Sequence, residues 1–167
     1  MAAFQFHFKL IQSNCVEEIK NQDIQWDNDE YPVLSLRKDL VNKFINSVSE
    51  ILGNPRSGFF EGLYILGLQE ELCIEYVIEE QICKEIVFRL DVRNDNSQII
   101  SKVHKFIEDN SLSIWFYEFG VQKKINLKSY KAILRKSSAM KYVNIPLEYL
   151  EKTLNNLLKE KSILLLV

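Results

Sequence analysis

The sequence is poor in the residues on which most catalytic and metal sites depend. It has two histidines, His7 and His104, and three cysteines, which show no metal-ligand spacing. A serine or cysteine nucleophile usually needs a base within hydrogen-bonding reach, most often histidine, and structural zinc sites take four Cys or His ligands. The five glycines form no phosphate-binding pattern such as G-x-G-x-x-G. We therefore expect a protein that is not an enzyme and binds neither cofactor nor metal, with Cys15, Cys73 and Cys83 as reduced core residues.

Long apolar runs and linkers are missing as well. The longest apolar run, Ile163 to Val167, has five residues, whereas a membrane-spanning helix needs roughly 18–20. The N-terminal segment lacks the basic start and long apolar stretch of a secretory signal. With three prolines and no Gly/Ser-rich tract, nothing divides the 167 residues, a length that suits one domain. The sequence predicts a single cytoplasmic domain covering residues 1–167.

Clear hydrophobic periodicity is present, and it predicts an α+β fold. Residues 4–10 alternate apolar and polar side chains like a half-buried strand, whereas residues 40–52 show the apolar spacing of a helix that Gly53 ends. Residues 59–93 return to a period of two and predict a three-stranded antiparallel meander.

The rest of the chain alternates helices and strands. We predict a helix at 99–107 with Asn96 or Ser97 as its N-cap, a strand at 112–119 that is apolar on both faces, helices at 125–137 and 144–160, and a buried strand at 162–167. The whole chain then reads β-α-β-β-β-α-β-α-α-β, a mixed, largely antiparallel sheet with helices packed on it.

The middle strand of the meander, EELCIEYVIEE at residues 70–80, carries a row of glutamates. Because side chains alternate along a strand, Glu71, Glu75 and Glu79 share the face opposite the core. A tight turn at residues 80–81 brings Glu85 onto the same face, where Arg89 relieves part of the repulsion. Successive glutamates of the row lie about 13 Å apart, too far for a catalytic carboxylate pair. Two interpretations stay open: a face that meets water, or a recognition surface for a basic protein, on which charge reversal of Glu75 and Glu79 leaves folding intact.

A second charged surface lies in the C-terminal part of the chain. Residues 1–100 hold 17 acidic and 9 basic residues and residues 101–167 hold 6 and 12, so the net charge of −2 divides into −8 and +6. The segment Lys123–Lys141 contains no acidic residue. Read as a helix, it forms a basic stripe, Lys124, Lys128, Lys131 and Arg135. This stripe is a candidate nucleic-acid surface, a solvated face, or a face that docks on the acidic half of the same protein.

These features favour a binding protein over an enzyme. We expect a small cytoplasmic protein whose acidic face (Glu71, Glu75, Glu79 and Glu85) binds and neutralises a basic protein partner such as a toxin domain, since complementary charge alone gives fast association. The profile is similar to that of bacterial toxin-immunity proteins in being small, acidic and free of catalytic motifs. The alternatives are a nucleic-acid-associated accessory protein that uses the Lys123–Lys141 segment and, third, an enzyme without a recognisable motif.

Overall fold

The computed structural model describes residues 5–15, 34–122 and 127–144, except for the side chains of residues 15, 121, 122 and 127. The strands and helices, in chain order, are β1 Gln5–Gln12, β2 Leu36–Arg37, α1 Lys38–Leu52, β3 Arg56–Ser57, β4 Leu63–Gly67, β5 Cys73–Glu79, β6 Ile82–Asp91, α2 Ser97–Asp109, β7 Leu112–Phe116, β8 Gly120–Gln122, α3 Leu127–Lys136 and α4 Ser138–Asn144. Seven strands form one sheet in the order β3-β4-β5-β6-β1-β7-β8, and β2 pairs with β6 beside this path. Every pairing between the described strands is antiparallel. The predicted α+β class with a largely antiparallel sheet is confirmed.

A row of apolar side chains crosses one face of the sheet and forms the centre of the core. The strand register aligns five residues from neighbouring strands, Leu66, Ile74, Phe88, Phe8 and Phe116. All five are fully buried, and the rings of Phe8 and Phe88 stack with centroids 4.6 Å apart. Residues of all four helices join the same apolar cluster. Because each such side chain stabilises the fold by roughly 1.5–3 kcal/mol when buried, this face holds the sheet and the helices together.

The first two helices pack on this face through aromatic residues at the predicted helical spacing. The rings of Phe44 in α1 and Phe106 in α2 stack with centroids 4.5 Å apart. As predicted, α1 ends at Gly53, whose φ of 83° lies in the left-handed region and whose N–H donates to the Ser49 carbonyl. Glycine adopts this conformation without steric cost.

The N-terminus of α2 confirms one of the two predicted N-cap residues. Asn96 occupies the N-cap position but makes no capping hydrogen bond with its side chain. It is buried, and its Nδ2 donates to the Asp91 carbonyl at 2.9 Å. The Oδ1 of Asp95 instead accepts the Ser97 N–H at 3.0 Å. The predicted N-cap position at Asn96 is therefore confirmed, although the side chain of Asn96 holds the turn from β6 towards α2 and that of Asp95 accepts the Ser97 N–H.

Several boundaries also differ. The meander strands β4, β5 and β6 lie within the predicted 59–93, but β4 begins at Leu63 rather than at Phe59. The short strands β2, β3 and β8 and the helix α4 were not predicted, since segments of two to seven residues leave little periodic signal. The predicted helix at 144–160, apart from its first residue, and the strand at 162–167 lie outside the described residues. No helix in the described ranges combines the length and apolar character needed to cross a bilayer.

Candidate functional site

The sheet face opposite the helices, which we call the second face, is not a plain acidic surface. The strand register aligns across it Ile65, Glu75, Val87, Lys9 and Trp115. Ile65, Lys9 and Trp115 are buried, with 7%, 4% and 6% of their surface exposed. The four predicted glutamates therefore do not form one solvated row, and each has its own surroundings.

Glu75 lies in the middle of β5 and is paired within the protein. Its side chain is 16% exposed, and Oε2 lies 2.8 Å from Nη2 of Arg89 on the neighbouring strand β6. Gln69 Nε2 donates to the other oxygen, Oε1, at 3.0 Å. A partly buried carboxylate with two donors already has its hydrogen bonds satisfied. A lysine at position 75 would face Arg89 in a half-buried position. We therefore no longer expect that charge reversal of Glu75 leaves folding intact.

Glu85 also has an internal partner. The register places it beside Val77 of β5, which confirms that it shares the face of Glu75. Its Oε1 lies 3.5 Å from Nζ of Lys9, a residue of β1 whose side chain is 5% exposed. The Lys9 ammonium also lies 4.8 Å from the centroid of the Trp115 ring, within cation–π range. Burial lowers the pKa of Lys9, and the Glu85 carboxylate partly opposes that shift. Glu85 thus serves to compensate a buried lysine.

His7 is half-buried, and the two described cysteine thiols are buried. His7 pairs with Arg89 across β1 and β6, and burial, aided by the Arg89 charge, lowers its pKa to about 4. Burial raises the pKa of Cys73 to about 11 and that of Cys83 to about 12. Since the thiolate is the nucleophile, both thiols are inert near neutral pH.

The other two predicted glutamates, Glu71 and Glu79, are exposed but lie at opposite ends of β5. Glu71 lies in the bend that precedes the strand. Glu79 is the last residue of the strand and lines an open groove of about 590 Å³ together with Glu61 and Glu80. Within the described ranges no salt bridge engages Glu61, Glu79 or Glu80. We call the groove lined by these three glutamates the acidic groove.

Local backbone geometry builds the acidic groove. The predicted tight turn is present: Glu79 pairs with Ile82, and the two residues between them, Glu80 and Gln81, have φ values of 46° and 71°. Positive φ at both positions is what a type I′ hairpin requires. On β6 the register shifts so that Lys84 is an extra residue, a β-bulge. Among the described residues that line the groove, Lys84 alone is basic, so three carboxylates there face one ammonium group.

An exposed aromatic pair, which the sequence patterns did not predict, lies beside this groove. Phe59 is 89% exposed and Phe60 46% exposed, and their rings contact edge to face with centroids 5.1 Å apart. The prediction placed them in a strand because FFEGLYILGL fits a period of two, whereas the structure places them in the loop between β3 and β4. The signal that could have found the loop is the pair of flanking glycines, Gly58 and Gly62.

The basic stripe matches its prediction where it is described. Lys128, Lys131 and Arg135 lie on α3 and are exposed, while Tyr130 on the opposite side of the helix is 3% exposed. Lys123 and Lys124 lie outside the described residues. Within the described ranges no salt bridge engages these three basic residues. Docking of the stripe on the acidic half stays a prediction, because six acidic residues of that half, between positions 17 and 30, lie outside the described residues.

Within residues 5–15, 34–122 and 127–144, no three His, Cys, Asp or Glu side chains come together in a way that could hold a metal ion. Comparisons with protein-family models, with curated proteins and with solved structures give no significant match for this chain.

Proposed function

We propose that this chain is a non-enzymatic protein that binds and neutralises a basic protein partner through the acidic groove. Toxin domains that act on nucleic acids are one class of such partners, since they carry the positive charge that phosphate binding requires. The sequence predicted that glutamates along β5 bind the partner; the proposed binding site lies instead at the end of that strand.

The observation that carries the proposal is the contrast between two sets of glutamates. Glu75 and Glu85 are paired with Arg89 and Lys9. Glu61, Glu79 and Glu80 are exposed around one groove and have no salt bridge within the described ranges. A carboxylate that already has a salt bridge within the protein interacts only weakly with a partner. Carboxylates without a salt bridge create a local negative potential that attracts a cationic surface and increases the association rate.

The test compares this chain with a charge-reversed variant, Glu61→Lys with Glu79→Lys. A partner is isolated from the native source on immobilised wild-type protein, identified by mass spectrometry and purified, and its binding kinetics are measured at two salt concentrations. We expect a basic protein whose association rate falls by about 10-fold or more with the variant at low salt, and by less at high salt, where charges are screened.

The matched control is Glu50→Lys with Glu108→Lys, which makes the same change of net charge at exposed positions of α1 and α2. This control should leave the association rate within about a factor of two, because its charges lie on the helical layer and not beside the acidic groove. Equal rates for the wild type and the groove variant at both salt concentrations would refute the proposed function.

A second candidate function, nucleic-acid binding, is favoured by the exposed stripe on α3. If it is correct, changing Lys128, Lys131 and Arg135 to glutamine should weaken binding to DNA or RNA oligonucleotides and reduce the salt slope by about one for each lost phosphate contact. The same change should barely alter stability, since exposed charges contribute little. The control is the same change to glutamine at Lys43 and Lys105, exposed lysines on α1 and α2. Binding is measured by fluorescence anisotropy at several salt concentrations.

A further inference from the structure

The Phe59–Phe60 pair stands apart from the other phenylalanines of the described chain. Six of those others are 8% exposed or less: Phe6, Phe8, Phe44, Phe88, Phe106 and Phe116. Phe59 is 89% exposed and Phe60 46% exposed. An aromatic ring that is almost fully in water contributes nothing to the core, and burying it against another surface releases a large apolar area. Burial of this pair in an interface would therefore stabilise a complex.

The loop that carries the pair is held in place by its own backbone. Gly58 N–H donates to the Leu63 carbonyl at 2.8 Å, and Ile78 N–H donates to the Gly62 carbonyl at 2.9 Å. Gly62 has a φ of +86°, and a Cβ on it would lie 2.5 Å from the Ile78 carbonyl oxygen, so only glycine allows this close approach. The first of these hydrogen bonds closes the loop onto β4, and the second ties it to β5 next to Glu79. An anchor that is already positioned loses little entropy on binding.

Charge decides what kind of surface the pair contacts. Glu61 follows Phe60 directly in the chain, and the Gly62–Ile78 hydrogen bond brings Glu79 and Glu80 alongside. Three carboxylates beside two exposed rings disfavour an anionic membrane surface, which attracts basic segments. They also disfavour the same patch on a second copy of this chain, because a symmetric contact would bring glutamates against glutamates.

We propose that Phe59 and Phe60 are the apolar anchor of the interface: they insert into an apolar pocket on a basic partner, while Glu61, Glu79 and Glu80 contact the basic rim of that pocket. The inference rests on the proposed function and adds the residues that fix the lifetime of the complex. Central aromatic anchors with a polar surround are the usual arrangement of strong contacts in protein interfaces. The rings control dissociation and the carboxylates control association, and this division of roles is testable.

The probe is a random-peptide phage library selected on the immobilised wild-type protein. We expect the selected peptides to combine Lys or Arg with a large apolar residue. Synthetic peptides of the selected sequences are then measured by surface plasmon resonance against wild type, Phe59→Ser with Phe60→Ser, and Glu61→Lys with Glu79→Lys. The phenylalanine variant should raise the dissociation rate by about 10- to 100-fold, the loss expected for one or two large side chains no longer buried, with little change in association rate or salt dependence.

Leu68→Ser is the matched control for loss of an exposed apolar side chain, since Leu68 is 51% exposed in the turn at the opposite end of β5. This control should leave both rates unchanged. The melting temperature of Phe59→Ser alone should match that of the wild type, because Phe59 is 89% exposed, whereas the double variant should melt only a few degrees lower, because about half of Phe60 is buried. This measurement separates a binding defect from misfolding.

The outcomes distinguish the two proposals. If the glutamate variant slows association but the phenylalanine variant leaves dissociation within twofold, the anchor is overturned and the proposed function stands. If the phenylalanine variant speeds dissociation of peptides that are not basic, and the glutamate variant has no effect, the basic partner is overturned and the proposed function falls with it. Peptides that bind all variants equally would overturn both.

Discussion

The turn between β5 and β6 stores conformational strain that a glycine should release. Glu80 and Gln81 adopt φ values of 46° and 71°, and two-residue turns of this type normally take Asn-Gly. Neither residue is a glycine, and both side chains are exposed. We therefore predict that Glu80→Gly and Gln81→Gly each stabilise the protein, although glycine is destabilising at most positions.

The magnitude follows from two opposing terms. The left-handed conformation costs a residue with a Cβ roughly 1–2 kcal/mol, and glycine loses roughly 0.4–1 kcal/mol more entropy on folding. No buried area is lost, and the Gln81 carbonyl still accepts the Lys38 N–H at 2.9 Å. The net gain is about 0.5–1 kcal/mol for each change, which corresponds to a rise in melting temperature of about 1–4 °C for a chain of this size.

Urea unfolding and differential scanning calorimetry measure this gain. The matched control is Glu50→Gly, the same substitution at an exposed position of α1, where glycine should cost about 0.5–1 kcal/mol. The two Glu→Gly variants should therefore shift stability in opposite directions. If Glu80→Gly destabilises as much as Glu50→Gly does, the turn is not strained and the argument from φ is wrong.

Three further predictions concern buried groups. Burial and the Arg89 charge hold the pKa of His7 at about 4, against 6.5 in the unfolded chain. Between these two pH values the unfolded state binds more protons, so the free energy of unfolding falls as the pH drops from 6.5 to 4. His7→Gln should remove about 1–2 kcal/mol of this fall in urea titrations, a value reduced for partial exposure; an unchanged pH profile would contradict the assignment. Cys73 and Cys83, with pKa values raised to about 11 and 12 by burial, should resist iodoacetamide at pH 8 until the protein is unfolded, and peptide mass spectrometry that finds rapid native labelling would disprove this. Among the residues that the structure describes, the buried hydroxyl of Tyr130 has no hydrogen-bond partner, so Tyr130→Phe should be neutral or stabilise by up to about 1 kcal/mol; a loss above about 1 kcal/mol in urea unfolding would refute this.

Local patterns in the sequence predicted the features that depend on local geometry. The alternation of residues 4–10 identified a half-buried strand, and the spacing of Lys128, Lys131 and Arg135 identified the exposed face of α3. Each of these inferences uses only the period of one strand or helix, which the backbone fixes.

Local patterns do not predict the order of the strands in the sheet, and that order determines which residues surround each glutamate. Glu85 is paired because β1 lies beside β6 and brings Lys9 to it, yet the two residues are far apart in sequence and no local pattern links them. The exposed Phe59–Phe60 pair was misassigned for a different reason: two phenylalanines raise strand propensity, and the turn depends on a backbone contact between Gly62 and Ile78.

The central position of β1 has a consequence for synthesis of the protein on the ribosome. Its partners across the sheet, Phe88 and Phe116 for Phe8, lie 80 and 108 positions further along the chain. At about 5–20 residues per second, β1 waits on the order of 5–20 s after it is made before the last of these partners has been added. Until then β1 lacks one of its two sheet neighbours and part of its apolar side stays uncovered, the kind of transient exposure that chaperones recognise.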